Sequence, residues 1–406
     1  VETKDLDRTE EAILKEFNEL KGTRREKPLA EIAIKHCGFY LPDNARYNYL
    51  LELPESEDLA SKIKEAMQAI EDHQGQEDFK DVLPKNDYQA FNRLPQSKQV
   101  LKGLVRSFSN IPSDASGDVF GKIYEYFLGK FALSEGQKGG EFFTPTSVVR
   151  LMVEIIEPYN GSVYDPACGS GSLLMKCGRK VVKTHGSKHY ALYGQEAIGS
   201  TWSLAKMNMF LHGEDNHRIE WGDTIRNPKL LDKNGDLMLF DIVTANPPFS
   251  LDKWGHDEAE NDKFGRFRRG VPPKTKGDYA FISHMIETLK PGTGRMGVVV
   301  PHGVLFRGSS EGKIRQKLID ENLLDAVIGL PEKLFYGTGI PAAILIFKKQ
   351  KVDDKVLFID ASREFKAGKN QNQLSEENIK KIVKTYRDGD NVEKYAYLAS
   401  LKEIQD

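Results

Sequence analysis

The sequence predicts an α/β protein whose mostly parallel sheet, with an antiparallel edge strand, follows an all-helical N-terminal domain. Apolar residues recur at helical spacing through residues 1–135. Short apolar runs then alternate with helical patterns through residues 136–350, as in sheets covered by helices on both faces. Residues 351–406 are charged and predict a partly helical C-terminal segment. We therefore expect a helical domain, an α/β domain and a C-terminal segment, in that order.

Four apolar stripes support the helical domain. They begin at Ile13, Leu59, Val100 and Val119, and each repeats with the spacing of a buried helix face. Packing between these helices accounts for the stripes, so no cofactor is implied. The polar, glycine-rich residues 134–140 then indicate a flexible connection to the α/β domain.

Composition excludes several classes of protein. The 406 residues are 39% hydrophobic and 29% charged, and no apolar run reaches the ~18 residues of a membrane span. The cysteines, Cys37, Cys168 and Cys177, form no CxxC pair, and the histidines lack metal-site spacing. We expect a cytoplasmic protein with buried thiols and no metal. With a net charge of −2, binding to nucleic acid would need positive charge from local patches or from a partner.

The turn after the first predicted strand, 162–165, consists mostly of small residues. It reads Asp-Pro-Ala-Cys-Gly-Ser-Gly-Ser from Asp165 to Ser172 and leads into a helix. Small residues let a ligand approach the backbone and the positive end of the helix, where a carboxylate is favoured. The turn has neither dinucleotide-binding spacing nor the lysine of a nucleoside-triphosphate loop, so both of those ligands are disfavoured.

Acidic residues follow the next two predicted strands. Glu196 is placed to accept hydrogen bonds from both hydroxyls of a ribose, and Asp223 to accept one from an adenine amino group. Either residue alone is more often an ordinary surface residue in a turn. Because they end consecutive strands, we interpret them as a nucleoside site.

A rigid turn follows the fourth predicted strand, which is the apolar run 239–245. It consists of Asn246, Pro247, Pro248 and Phe249, and the prolines fix the backbone at the carboxyl end of the strand. An amide beside an aromatic ring suits a planar group that carries an amino function, such as a nucleobase. A proline-rich turn with a capping Asn and a core Phe is the alternative, and the preceding nucleoside site favours the nucleobase.

The long segment 251–276 that follows is rich in charge, glycine and proline. Basic residues interleaved with aromatic ones suit a nucleic-acid backbone, and a solvated, mobile loop explains the pattern equally well. The candidate DNA-binding residues are Arg266, Arg268, Arg269, Lys274 and Lys276. Beyond them, the apolar runs 324–330 and 342–347 predict an antiparallel pair at the edge of the sheet.

Three motifs occur in a specific order: Gly-Glu-Phe-Phe-Thr-Pro at 140–145, the small-residue turn at 165–172, and Asn-Pro-Pro-Phe at 246–249. Together they resemble the methylation subunit of type I restriction-modification systems, which are S-adenosylmethionine-dependent N6-adenine DNA methyltransferases. The resemblance covers nearly the whole chain, although the family's terminal helices are shortened or missing in this sequence. It implies the Rossmann-like class I fold of S-adenosylmethionine-dependent methyltransferases.

The resemblance also implies roles for individual residues. The small-residue turn holds the methionine end of the cofactor, Glu196 the ribose and Asp223 the adenine, and the Phe-Thr-Pro segment closes over it. The implied cofactor-binding residues are Glu141, Phe142, Phe143, Thr144, Pro145, Thr146, Asp165, Gly169, Ser170, Gly171, Ser172, Glu196 and Asp223. The implied catalytic residues are Asn246, Pro247, Pro248 and Phe249.

In the implied reaction the target adenine leaves the duplex and stacks on Phe249. The side-chain carbonyl of Asn246 and the backbone carbonyl of Pro247 accept the N6 hydrogens, which directs the nitrogen lone pair at the methyl group. We expect double-stranded DNA and a separate specificity subunit as partners, a restriction subunit that can join them, and two copies of this chain per complex. Methylation of RNA adenine or protein glutamine, and a non-catalytic scaffold, are the alternatives.

Overall fold

The computed structural model describes most of the chain, with gaps. The described residues are 3–37, 39–54, 56–76, 79–85, 97–108, 144–159, 161–214, 216–335, 339–368 and 371–405. The chain divides into two compact units, Val1–Glu125 with Phe210–Gly213 and Tyr126–Met209 with Glu214–Asp406. The predicted boundary at residue 135 and the stripe that begins at Val119 lie outside the described residues.

The described part of the first unit is helical, as predicted. Its helices are α1 Thr3–Leu20, α2 Leu29–Cys37, α3 Tyr47–Leu51, α4 Leu59–Glu71 and α5 Ser97–Phe108. Asp58 caps α4, because its side chain accepts a hydrogen bond from the backbone N–H of Ala60 at 3.2 Å. Ile63 of α4 and Leu101 of α5 then share one buried cluster.

The second unit is built on a nine-stranded sheet within the described residues. Its strands are β1 Gly161–Asp165, β2 Tyr190–Glu196, β3 His217–Trp221, β4 Ile242–Ala245, β5 Arg295–Pro301, β6 Leu324–Gly329, β7 Ala342–Lys348, β8 Lys355–Asp360 and β9 Ala396–Ser400. Their order across the sheet is β3-β2-β1-β4-β5-β7-β6-β8-β9. The first five strands of this order are parallel, so their carboxyl ends meet at one edge.

Helices cover both faces of this sheet. From residue 146 onward they are α6 Thr146–Ile156, α7 Ser172–His185, α8 Gly199–Leu211, α9 His256–Ala259, α10 Asp278–Glu287, α11 Gly303–Phe306, α12 Ser309–Asp320, α13 Glu376–Asp388 and α14 Leu401–Gln405. Successive strand residues point to opposite faces: Val163 belongs to one buried cluster and Tyr164 to another. The predicted fold class, a Rossmann-like α/β domain after helices, is therefore confirmed. None of the described helices is long and apolar enough to cross a membrane.

Two of the cysteines are buried apolar groups, as predicted. Cys168 and Cys177 are free thiols inside the core of the second unit, and burial raises the pKa of both above the ordinary range. A thiol that stays protonated is a poor nucleophile and a poor metal ligand, so neither residue is a candidate for catalysis.

The C-terminal part of the chain departs from the prediction. β6 and β7 pair antiparallel as expected, but they do not lie at the edge, because β8 and β9 extend the sheet beyond them. The separate segment predicted for 351–406 is wrong for the same reason. Ser375 begins α13 through a capping box with Asn378, and the buried face of this helix, including Ile382, packs in the same cluster as the strands. The tail therefore completes the α/β fold.

Replacement of Ile382 by Ala tests this correction. The side chain is fully buried in α13, so Ile382→Ala should lower the free energy of unfolding of the second unit by about 2–5 kcal/mol. The control is Val352→Ala, at a fully exposed position of the same tail, which should change it by less than about 0.5 kcal/mol. Urea titrations followed by circular dichroism measure both. Equal, negligible effects would show that the tail is an independent appendage.

Candidate active site

One cleft at the carboxyl edge of the sheet brings together three predicted segments. Its volume is about 420 Å³, including its open mouth. The residues that line it are Thr144, Asp165, Ala167, Cys168, Gly169, Ser170, Ser172, Leu173 and Asn246. The turn after β1, the residues before α6 and the turn after β4 therefore meet, although they are far apart in the chain.

Glycines shape the turn between β1 and α7. Gly169 and Gly171 both have positive φ, 54° and 77°, which favours glycine over other residues. A Cβ at Gly171 would lie 2.7 Å from Cε of Met209, so this glycine allows the turn to pack closely on α8. A Cβ at Gly169 would meet no described atom within 4 Å, so the backbone there is open for a ligand's approach. α7 begins directly behind this backbone and directs its positive end at the cleft.

Glu196 connects the end of β2 to the same turn. One carboxylate oxygen accepts a hydrogen bond from the N–H of Gly169 at 3.0 Å, and the other accepts one from the N–H of Ile198 at 2.9 Å. The carboxylate thus holds the two neighbouring strand ends in register.

Asp223 closes a tight turn after β3. Its Oδ1 accepts hydrogen bonds from the N–H groups of Ile225 and Arg226, both at 2.9 Å, and its Oδ2 pairs with the Arg226 guanidinium at 3.1 Å. The N–H of Gly222 donates to the carbonyl of Glu196 at 2.9 Å, which places this turn beside the end of β2. Asp223 does not line the cleft, so its contact with adenine stays a prediction.

Asp165 is an acidic residue that lines the cleft and has a perturbed pKa. Its residue surface is only 2% exposed, and burial raises the pKa of its carboxyl to about 8, even though the N–H of Ala167 donates to it. The negative charge of Glu196 raises the pKa further. With a pKa of about 8, the carboxyl of Asp165 is mostly protonated at neutral pH.

Asn246 contacts the residues that precede α6. Its Nδ2 donates to the hydroxyl of Thr144 at 2.9 Å, which joins the Phe-Thr-Pro motif to the Asn-Pro-Pro-Phe motif. Pro247 is buried, and Pro248 and Phe249 are half-buried. Glu141, Phe142 and Phe143 lie outside the described residues, so their role stays a prediction.

The ring of Phe249 packs edge-on against Phe335, with centroids 5.6 Å apart. The turn then continues through Ser250, whose φ of 51° is unusual for a residue other than glycine. Its N–H donates to Oδ1 of Asp278 at 2.8 Å, which holds that conformation.

Asp278 belongs to an ion-pair network that the sequence analysis missed. Arg307 donates to Oδ2 of Asp278 at 2.5 Å and to Glu311 at 2.5 Å, and both carboxylates are almost fully buried. The network therefore anchors the turn after β4 from the neighbouring loop after β5. Arg307 and Glu311 are four residues apart, and this i, i+4 pair of opposite charges is the sequence signal that could have indicated part of the network.

The segment 251–276 is folded and is no solvated loop. Trp254, Phe267 and Phe281 form a buried cluster of their own. Arg266 and Arg269 are 4% and 1% exposed, so the prediction that they contact DNA is wrong.

The reason is that buried or half-buried carboxylates pair with both guanidinium groups: Asp262 with Arg266, and Glu287 and Glu321 with Arg269. Among the other candidates, Arg268 pairs with Glu321 and Lys274 with Asp257, both in exposed positions. Lys276 is half-buried. DNA contact by Arg268, Lys274 and Lys276 stays a prediction.

No group of His, Cys, Asp and Glu within the described ranges is arranged to hold a metal ion.

Comparison with protein-family models identifies the family to which this chain belongs. The model of N-6 DNA methylases matches residues 115–406, and that of the HsdM N-terminal domain matches residues 2–108. The chain belongs to the N-6 DNA methylase family. Family membership confirms the predicted enzyme class, an adenine-specific DNA methyltransferase of the type I methylation-subunit kind.

Individual relatives of this N-6 DNA methylase agree. The methylase subunit of the type I restriction enzyme MjaIX of Methanocaldococcus jannaschii is 34% identical, over 90% of this chain and 67% of its own. The HindI methylase subunit of Haemophilus influenzae is 33% identical, over 84% of this chain and 75% of its own. The chain spans between 54% and 75% of the length of three such relatives.

Solved structures give the same result for the fold. The type I methyltransferase subunit from Streptococcus thermophilus is 32% identical with a TM-score of 0.84, over 98% of this chain and 85% of that chain. A putative class I S-adenosylmethionine-dependent methyltransferase from Listeria monocytogenes shares the fold alone, with 19% identity, a TM-score of 0.51, and coverage of 85% of this chain and 96% of that chain.

The raised pKa of Asp165 predicts a specific pH dependence of stability. Between pH ~4, where an exposed aspartate titrates, and pH 8 the folded chain retains a proton that the unfolded chain has lost. The free energy of unfolding should therefore fall as pH rises through this window, by up to about 1.4 kcal/mol per pH unit from this residue. Asp165→Asn removes this penalty, so it should be more stable than wild type at pH 8 and equally stable at pH 4.

Asp241→Asn is the matched control with the opposite sign. Burial opposes ionisation of Asp241, but Lys290 and the backbone and hydroxyl of Ser162 lower its pKa below the ordinary range. This carboxylate contributes stability above the unfolded-state pKa, so Asp241→Asn should be less stable than wild type at pH 8. Thermal unfolding across pH measures both variants. If Asp165→Asn were less stable than wild type at pH 8, the raised pKa of Asp165 would be contradicted.

Proposed function

We propose that this chain transfers the methyl group of S-adenosylmethionine to N6 of an adenine flipped out of double-stranded DNA. The observation that supports it most is that Asn246 lines the same cleft as Asp165 and the turn at Gly169. A cofactor held by the turn after β1 and a base held by the turn after β4 would then meet across a single cleft.

The residues of the cleft fit this cofactor. The open backbone at Gly169 and the start of α7 suit the carboxylate of a methionine moiety. The ammonium and sulfonium groups of the same moiety are positive, so they would favour the ionised form of the buried Asp165 carboxyl. Glu196 and Asp223, at the ends of β2 and β3, extend the site toward a nucleoside. When bound, S-adenosylmethionine supplies a methyl group that is already strongly electrophilic.

Asn246 and Pro247 would orient the acceptor nitrogen. The hydroxyl of Thr144 accepts from Nδ2 of Asn246, which fixes the orientation of the amide, so the side-chain oxygen is the atom that receives a hydrogen from N6. The backbone carbonyl of Pro247, on a turn stiffened by two prolines, would receive the other. Two such hydrogen bonds direct the N6 lone pair out of the ring plane.

The transfer then needs no strong general base. The N6 lone pair forms the new N–C bond as the C–S bond breaks, and one N6 proton is released to water. Positioning of the two reactants and fixed carbonyl dipoles supply most of the acceleration in such a step. A neutral Asn246 is compatible with such a step, because an amide can accept a hydrogen bond from N6 without acting as a base.

Phe249 would supply the stacking surface for the flipped base. Flipping costs a few kcal/mol, and stacking on an aromatic ring returns about 1–3 kcal/mol per base. The ring of Phe249 is half-buried, and its edge-on contact with Phe335 helps to fix its orientation.

A partner subunit would supply most of the contacts to DNA. The net charge is −2, and the guanidinium groups of Arg266 and Arg269 are buried and neutralised. Phosphate neutralisation supplies much of the affinity of a DNA-binding protein. We therefore propose that a specificity subunit reads the target sequence. By analogy with the type I methylase subunits that the chain resembles, we also propose that a restriction subunit can join the complex, and that the complex holds two copies of this chain in the cytoplasm.

Family membership favours DNA over the other acceptors considered above, RNA adenine and protein glutamine. A non-catalytic scaffold is disfavoured because the small-residue turn and Asn246 line one cleft and Glu196 hydrogen-bonds that turn.

Asn246→Ala tests the catalytic assignment. We expect kcat for methyl transfer to fall by at least ~100-fold, because one of the two acceptors that orient N6 is lost. Calorimetric titration should give an unchanged Kd for S-adenosylmethionine. The control is Asn234→Ala, in an exposed turn, which should leave both quantities unchanged. Normal transfer by Asn246→Ala would rule out this role for Asn246.

The partner proposal predicts weak DNA binding by the isolated chain. Fluorescence anisotropy with labelled duplexes should show micromolar or weaker, sequence-independent and salt-sensitive binding, of the order expected for contacts to phosphates alone. Addition of the cognate specificity subunit should give tight binding to one sequence. Tight, sequence-specific binding by this chain alone would refute the proposal.

A further inference from the structure

Arg266 is buried against the turn that carries Asp223. It pairs with Asp262 at 2.8 Å, which neutralises its charge. The guanidinium also faces the backbone after β3: Nη2, which is shared with Asp262, donates to the carbonyl of Ile225 at 2.8 Å, and Nη1 donates to the carbonyl of Thr224 at 3.3 Å. A single guanidinium therefore hydrogen-bonds the backbone carbonyls of the two residues that directly follow Asp223.

The same turn is fastened to the turn after β1. The hydroxyl of Thr224 donates to the carbonyl of Pro166 at 2.6 Å, and Pro166 is the neighbour of Asp165. Thr224 is thus held by Arg266 through its backbone and by the turn after β1 through its side chain. The two strand ends of the proposed cofactor site are joined at this residue.

A second connection from Arg266 reaches β1 through two buried side chains. The guanidinium lies 3.2 Å from Nδ1 of His284, and Nε2 of His284 lies 2.9 Å from the hydroxyl of Tyr164. Arginine has no acceptor, so Nδ1 accepts and the neutral ring carries its proton on Nε2, which donates to Tyr164. Burial and then the charge of Arg266 lower the pKa of His284 well below its ordinary value, which keeps the ring neutral.

The segment that carries Arg266 begins at the catalytic turn. The carbonyl of Leu251, two residues after Phe249, accepts from the N–H of Gly277, and Trp254 and Phe267 bury the segment in its own cluster. The chain therefore leaves the turn after β4, folds into a buried unit and returns a guanidinium to the turn after β3.

We propose that Arg266 is a positioning residue for cofactor binding. Its guanidinium holds the turn that carries Asp223 against the turn after β1. The inference rests on the proposed function, because it takes these two turns as the binding site of S-adenosylmethionine. Arg266 does not line the cleft, so it acts through the residues that it holds, chiefly the backbone of Thr224 and Ile225. A planar fork of donors is required to reach both carbonyls and Asp262 together, and lysine cannot replace it.

Arg269 provides a matched control within the same segment. It is also buried and pairs with two carboxylates, those of Glu287 and Glu321, at 2.6 Å each. Its partners lie on α10 and after α12, and none of them belongs to the turns around the cleft. Loss of Arg269 should therefore cost stability, as loss of Arg266 does, without reaching the cofactor site.

The experiment compares Arg266→Gln, Arg266→Lys and Arg269→Gln in the full chain. Calorimetry gives the Kd for S-adenosylmethionine, and steady-state assays with the specificity subunit give KM for the cofactor and kcat. Arg266→Gln should raise Kd and KM roughly tenfold, the loss expected for hydrogen bonds from a charged group, with kcat at saturating cofactor within about threefold. Arg266→Lys should lie between Arg266→Gln and wild type. Arg269→Gln should lower the Tm but leave Kd within about twofold of wild type.

Several results would overturn the inference. A folded Arg266→Gln with the Kd of wild type would do so, as would an equal rise in Kd for Arg269→Gln. If Arg266→Gln fails to fold, Arg266→Lys decides, because it keeps a positive charge beside Asp262 and loses the planar set of donors that reaches the two carbonyls. Its Kd should rise, and an unchanged Kd would overturn the inference. Wild-type chain that binds no S-adenosylmethionine would instead refute the proposed function.

Discussion

Parallel pairing of β1 with β2 on one side and with β4 on the other is the constraint on which the site depends. Because these strands end at the same edge, Asp165, Glu196 and Asn246 come together although they are far apart in the chain. Hydrogen bonds then lock the turns to one another: Glu196 holds the N–H of Gly169, and Asn246 holds Thr144. A methyl donor and an acceptor base could not share one cleft without this arrangement.

Buried ion pairs stabilise the irregular backbone beyond the strand ends. A buried guanidinium is costly unless carboxylates and carbonyls satisfy it, and removal of one partner leaves a charge that the interior cannot solvate. Arg307 and Asp278 fix the turn after β4, and Arg266 and Asp262 fix the turn after β3. The turns beyond the strand ends lack the regular backbone hydrogen bonds of a sheet. The ion-pair networks hold the backbone of these turns in place instead.

The local part of the site could be predicted from the sequence. A buried strand followed by glycines, or by Pro247 and Pro248, determines its own backbone and so places Gly169 and Asn246 at the sheet edge. The C-terminal strands could not be predicted, since they are short, flanked by charge, and buried only by tertiary contacts, with α13 on one face of the sheet and α14 on the other. The burial of Arg266 could not be predicted from the sequence either. Its charge predicts exposure, and its burial depends on the turn after β3, which is remote in sequence.

The proposed methyl transfer to adenine is tested most directly by the identity of the methyl acceptor. The chain and its specificity subunit would be incubated with tritiated-methyl S-adenosylmethionine and with duplex DNA, RNA or protein, followed by analysis of the labelled product. We expect label in N6-methyladenine of duplex DNA, and none in RNA or protein. Label in RNA, in protein, or at another atom of DNA would contradict it.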